Sequence, residues 1–195
     1  MGQRSQIYVR YEKDGKNYLT ARYYQWNYGE RMISRCRWTI EWIKANLAHE
    51  WYFTAEKEKL MRIMDVNFDM HDIVIGCDIV KEYNDYRKKY DDYSFNDYIL
   101  KYQDNNDGKL FIYIKDDVIK YAFLDSECNT EDVMDAEQYM TWNCENWIES
   151  EYIDDEYKEE IKANFAAIEG MAVLMTKEEV EDFIGCVYYE EELPF

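Results

Sequence analysis

Near its start the chain alternates. Ile7, Val9 and Tyr11 point one way, Tyr8 and Arg10 the other. A period of two belongs to a strand with two different faces. Asp14-Gly15 is a strong turn signal, and Leu19, Ala21 and Tyr23 then take alternate positions again. This predicts a β-hairpin. The period then lengthens. Met32 or Ile33, Cys36, Ile40, Ile43 and Leu47 recur every three or four residues and predict a helix over about 30–48. A second stripe on that helix reads Arg31, Arg35, Trp38, Trp42. Thr54 is placed to cap a further helix over about 55–64. Ile73 to Ile75 is a short apolar run, and Ile79, Tyr83, Tyr86 and Tyr90 stand at helical spacing.

The second half repeats the alternation of types. Asp104-Asn105-Asn106-Asp107-Gly108 is a turn cluster leading into Leu110 to Ile114. Asp116-Asp117 separates that run from Val118 to Leu124, which predicts a second hairpin across an acidic two-residue turn. A helix is expected from Asn129 or Thr130, carrying Val133, Ala136, Met140 and Trp147. A longer one over about 155–168 carries Tyr157, Ile161, Phe165 and Ile168, with Gly170 at its end. Met171 to Met175 reads as a strand, and Thr176-Lys177-Glu178-Glu179 as a capping box opening a last helix. Hairpins mixed with helices, without a βαβ rhythm, predict an α+β fold. Its sheet should be mainly antiparallel, built from hairpins and covered on one side by helices.

Composition adds the boundaries of the problem. The 195 residues include one proline, Pro194, and seven glycines, so no linker divides the chain and a single domain over 1–195 is expected. Five cysteines, Cys36, Cys77, Cys128, Cys144 and Cys186, are odd in number and form no CxxC pair. Reduced thiols are expected, with neither a disulfide framework nor a zinc site. There is no signal-peptide pattern, no complete lipidation motif and no apolar run long enough to span a bilayer. The expected location is the cytoplasm.

Charge changes the picture most. The net charge is −19, divided unequally. Residues 1–64 carry twelve Lys and Arg against seven Asp and Glu, a net of +5. Residues 65–195 carry eleven against thirty-five, a net of −24. Such a field repels phosphates and attracts basic proteins. Apolar stripes on the last two helices turn Asp154, Asp155, Glu156, Glu159 and Glu160, and Glu178, Glu181 and Asp182, towards solvent. These eight are the candidate partner-binding face. Simple solubility is the plainer reading of the same residues.

No familiar catalytic motif is present: no phosphate-binding glycine loop, GxSxG, HExxH or CxxC. Only two histidines, the isolated His49 and His71, are available to act as bases. Asp65-Val66-Asn67-Phe68-Asp69 begins like a calcium loop, but Met70 stands where glycine is needed and Gly76 where glutamate is needed. Catalytic residues, metal ligands and cofactors are therefore not expected. The stripe of Arg31, Arg35, Trp38 and Trp42 has two readings. It can stack on single-stranded nucleic acid, or it can be an internal cation–π stack laying the helix on the sheet. The negative field weighs against direct nucleic-acid binding, which rests largely on phosphate neutralisation.

The stretches Gly2 to Tyr11, Ala21 to Arg35, Asp65 to Asp69 and Asp104 to Lys109 together resemble small acidic proteins of Firmicutes phages and mobile elements. In style the chain is similar to anti-CRISPR inhibitors. No functional residues come with that resemblance. It implies a context: an acidic inhibitor in the host cytoplasm, docking by nucleic-acid mimicry on the basic channel of a defence nuclease, a Cas9-like one included. Two alternatives stay open. One is a single-stranded nucleic-acid binder using the basic aromatic front. The other is a metal-dependent hydrolase built from scattered carboxylates.

Overall fold

A computed structural model describes residues 3–13, 15–25, 27, 29–46, 59–60, 62–64, 75–81, 85, 106–186 and 188. Six strands are present: β1 (Arg4–Lys13), β2 (Lys16–Gln25), β3 (Ile75–Asp78), β4 (Lys109–Lys115), β5 (Val118–Leu124) and β6 (Val173–Leu174). Among the described residues four helices have full bounds, α1 (Gly29–Asn46), α2 (Ala136–Asn143), α3 (Asp155–Glu169) and α4 (Lys177–Gly185), and residues 59–60, 62–64, 79–81 and 85 are helical as well. The fold is α+β, as the pattern predicts.

The strands form one sheet in the order β3-β2-β1-β4-β5-β6. Both expected hairpins form, and β3 extends the first antiparallel to β2. The sheet is nonetheless mixed, because β1 pairs with β4, and β5 with β6, in parallel. The second hairpin turns on Asp116 and Asp117, both with positive φ (48° and 60°), and Lys115 faces Val118 across the turn. Two left-handed residues in a two-residue loop match the natural twist of the strands, and aspartate tolerates that conformation.

Register decides which side chains share a layer. Tyr8 pairs with Ala21 and Arg10 with Leu19. The alternate residues Leu19 and Ala21 therefore lie with Tyr8 and Arg10, opposite to Ile7 and Val9. Ile7, Val9, Leu110, Ile112, Ile114, Tyr121 and Phe123 face a core closed by α1, α2 and α3 through Met32, Ile40, Met140, Ile161 and Phe165. Tyr8, Leu19, Ala21, Phe111, Ala122 and Leu124 face a second core closed by Val180 and Phe183 of α4. Helices thus cover both faces, where cover on one side was expected. The central strand β4 is buried on both sides, which accounts for its unbroken apolar run.

Two helices differ in detail from expectation. α2 starts at Ala136, not near Asn129, because Met134 exchanges both backbone hydrogen bonds with Phe123 of β5. Asp135 then caps the helix, and Gln138 completes a capping box. Gly170 ends α3 with φ −72°, a right-handed conformation open to any residue. Gly29 is different: a Cβ there would lie 1.9 Å from Oδ1 of Asn143, so glycine lets α1 approach the end of α2. His49, His71 and Asp65 to Asp69 lie outside the described residues, as do Leu47, Thr54 and half of the helix expected over 55–64, whose described residues 59–60 and 62–64 are helical. Cys36, Cys128, Cys144 and Cys186 are free thiols.

Candidate docking surface

The long helix α3 lays Ile161, Phe165 and Ile168 into the first core and leaves its acids outside. Asp154 is the N-cap, its side chain accepting the Tyr157 N–H at 2.8 Å. Asp155, Glu156, Glu159 and Glu160 are exposed. Asp155 pairs with Lys158 at 3.1 Å and Glu159 with Lys162 at 2.6 Å, but the two carboxylate side chains remain 98% and 74% accessible. Exposed pairs of this kind contribute little and open readily. Among the described residues Glu156 and Glu160 form no ion pair.

The contact beneath α3 is polar at its centre. Asn164 is fully buried, donating to Ser34 Oγ at 3.1 Å and accepting from Arg37 at 2.7 Å. Asn164 thereby fixes α3 against α1 by matched partners, as a buried amide requires.

The other three expected docking residues lie on the opposite side of the sheet. Glu178, Glu181 and Asp182 are exposed on α4, whose Val180 and Phe183 close the second core. The single acidic face expected from the sequence is thus divided into two, because the sheet separates the helices. Much of the α4 charge is also engaged within the chain. Asp182 accepts from Arg10 at 2.7 Å. Glu181 meets Thr130 at 3.3 Å and Lys177 at 3.8 Å. Glu179 accepts from Lys120, and that hydrogen bond holds its carboxyl below the usual range. Lys177 also binds Glu131.

Arg10 is the pivot of this side. Its side chain is only 5% exposed and donates to Asn17 at 2.8 Å as well as to Asp182. Its guanidinium lies 4.5 Å from the Tyr113 ring centroid and 5.9 Å from that of Phe183. The planar cation thus joins α4 to the sheet by hydrogen bonds and ring contacts together.

The basic aromatic stripe of α1 separates by burial. Arg35 is completely buried, donates to Asn27 at 2.9 Å and to the Met64 carbonyl, and stacks 4.6 Å from the Tyr24 ring centroid. Arg31, Trp38 and Trp42 are half-buried, and Trp42 packs against the first core. For Arg35 the internal reading holds.

A buried polar clasp stands at one end of the sheet. Asp107 accepts the Arg4 N–H at 2.6 Å and Asn143 Nδ2 at 3.3 Å, and its carbonyl accepts the Tyr139 hydroxyl. These bonds tie the starts of β1 and β4 to the end of α2. Burial pushes the Asp107 carboxyl up, and burial with the nearby Asp107 does the same to Glu30.

Sequence reasoning missed one feature altogether. The connection between α2 and α3 buries Trp147 and Ile153 but leaves Ile148 58% and Tyr152 100% exposed. Trp142, just before it, is 41% exposed. The signal available was an apolar count in 142–153 that exceeds what one inward stripe can absorb. Among the described residues no group of three His, Cys, Asp or Glu side chains could hold a metal ion. None of the described helices is long and apolar enough to cross a membrane. Compared with known proteins, the chain matches no family model, no curated protein and no solved structure.

Proposed function

We propose that this chain is an acidic inhibitor of phage type. Inside the host bacterial cell it docks its α3 side on the basic nucleic-acid channel of a defence nuclease, a Cas9-like one included. The observation that carries the reading is the α3 surface, where Asp155, Glu156, Glu159 and Glu160 stand exposed on a helix anchored by Ile161 and Phe165. A fixed array of carboxylates matches a channel built to hold phosphates, and complementary charge gives fast, salt-sensitive association. Glu178, Glu181 and Asp182 belong to a separate surface and are left out of this contact.

The alternatives draw less support. A single-stranded nucleic-acid binder needs the Arg31, Arg35, Trp38, Trp42 stripe on an open face, and Arg35 is buried. A carboxylate metal hydrolase needs converging acids, and the described residues gather no such group.

The test is capture from a bacterial lysate at low and high salt, followed by a DNA-cleavage assay on the nuclease recovered. Cleavage should be suppressed by the wild type and restored by the combined change Glu156→Lys, Glu159→Lys and Glu160→Lys. A recovered nuclease that cleaves equally well with and without the protein would sink the reading.

A further inference from the structure

Three of the exposed large apolar side chains fall within residues 142–152: Trp142, Ile148 and Tyr152. Tyr152 has no cover at all, yet the loop that carries it is held in place. Trp147 is 3% exposed and packs edge-on against Phe165 of α3, with ring centroids 5.9 Å apart. Ile153 is buried at the other end. Between them the backbone folds on itself through Trp147 N–H to Cys144 O (3.0 Å), Glu149 N–H to Asn146 O (3.0 Å) and Ser150 N–H to Trp147 O (3.3 Å). The Tyr152 N–H donates to Ser150 Oγ at 3.3 Å. The loop thus buries one pair of apolar residues and presents another.

The setting of that presented pair defines its partner. Residues 145–160 contain eight carboxylates and one lysine. Glu149, Glu151 and Asp154, which flank Ile148 and Tyr152 along the chain, are exposed. A purely apolar partner would have to desolvate those carboxylates without compensation. A guanidinium satisfies both elements at once, with its plane on the aromatic ring and its N–H fork on a carboxylate. An ammonium is a compact, strongly hydrated charge and makes the ring contact less well.

We propose that the 145–156 surface is a docking site for an arginine-rich protein segment, with Tyr152 as its aromatic anchor and Ile148 beside it. This rests on the reading of the α3 side as a docking surface and names the side chains that partner brings. The contact is preorganised, because Trp147 and Ile153 fix the loop before binding. Tyrosine suits the anchor position, giving a large rigid contact at low entropic cost.

The experiment is a fluorescence-anisotropy titration of the full chain with oligoarginine and with oligolysine of equal length, at low salt. The wild type should bind oligoarginine at least about threefold more tightly, the scale of an exposed cation–π contact. Tyr152→Ala should abolish that preference while leaving oligolysine affinity unchanged, and Tyr152→Phe should retain it. Since Tyr152 is fully exposed, neither change disturbs the core. The reversal of Glu156, Glu159 and Glu160 to lysine should weaken both peptides alike. Equal affinity for the two peptides, or a preference that survives Tyr152→Ala, overturns the aromatic anchor. If the reversal still removes binding in that case, the acidic docking surface stands without it. Failure of both peptides to bind the wild type overturns the anchor and the docking surface together.

Discussion

Helix α3 brings Asp155, Glu156, Glu159 and Glu160 to one side of the sheet, and helix α4 brings Glu178, Glu179, Glu181 and Asp182 to the other. In composition they are alike: short apolar stripe, acidic first turn, no basic residue in the last turn. Their surroundings differ. α4 packs on a face that offers cations, Arg10 from β1 and Lys120 from β5, and its acids close onto them. α3 packs on α1 through Asn164, Ser34 and Arg37, and among the described residues its acids pair only with the lysines of its own turns. The charge that a sequence counts is therefore not the charge that a partner meets. Charges paired with the sheet are engaged within the chain, and those left in solvent stay accessible.

The largest effect should come from Arg10→Ala. It removes a charged hydrogen bond to Asp182 and the ring contacts to Tyr113 and Phe183, a loss of about 2–4 kcal/mol by the usual magnitudes of those terms. Urea denaturation measures it. Hydrogen exchange should locate the loosening in α4 and leave α3 protected. Uniform loss of protection through both helices would show that Arg10 supports the whole fold and not one side of it.

Asp154 sharpens the comparison from the α3 side. It counts among the acids expected to meet a partner, yet it caps the helix through the Tyr157 N–H. Asp154→Ala should cost about 1 kcal/mol, and Asp154→Asn should cost much less because asparagine caps as well. Thermal melts of the two variants distinguish a capping role from a purely electrostatic one. Equal losses would assign Asp154 to charge alone.

The elements set by local pattern were legible from residues alone. Period-two alternation gave the first hairpin, two apolar runs across Asp116-Asp117 gave the second, and Thr176 with Glu179 marked the start of α4 as a capping box. The layers were not legible. Which face Leu19 and Ala21 join depends on the register with Tyr8 and Arg10, a pairing that no single strand encodes. The same gap hid the second core, and with it the division of the acidic residues between two sides. Arg10 shows the cost of that gap. Its alternation placed it opposite Ile7 and Val9, which reads as solvent until Asp182 and Phe183 of α4 are known to meet it. The start of α2 was misplaced for a related reason, since the bridge between Met134 and Phe123 joins residues distant in sequence. In the α2–α3 loop, the exposure of Ile148 and Tyr152 follows from Trp147 and Ile153 taking the inward positions, a choice made by packing.

The smallest expected effect concerns a half-buried acid. Glu30 lies in the first turn of α1, and burial, together with the charge of Asp107, raises its carboxyl despite the opposing charge of Arg31. Its folded pKa exceeds its unfolded one. Its contribution to stability is therefore present below the ordinary carboxyl range and lost as pH rises through the raised value. Glu30→Gln should melt slightly above the wild type at pH 7, and the gap should close as the pH falls towards about 4. A gap that widens on acidification would mean that the charged form is the one the fold favours.

The central claim, that of these two helices α3 holds the acids more open to a partner, is tested most directly by a heteronuclear NMR titration of the full chain with oligolysine at low salt. Surface charge alone selects where such a probe settles. The account predicts that shift changes concentrate in residues 145–160 and fade as salt is raised to about 0.5 M, as screening requires. Changes centred on residues 177–182, or spread equally over α3 and α4, would contradict it.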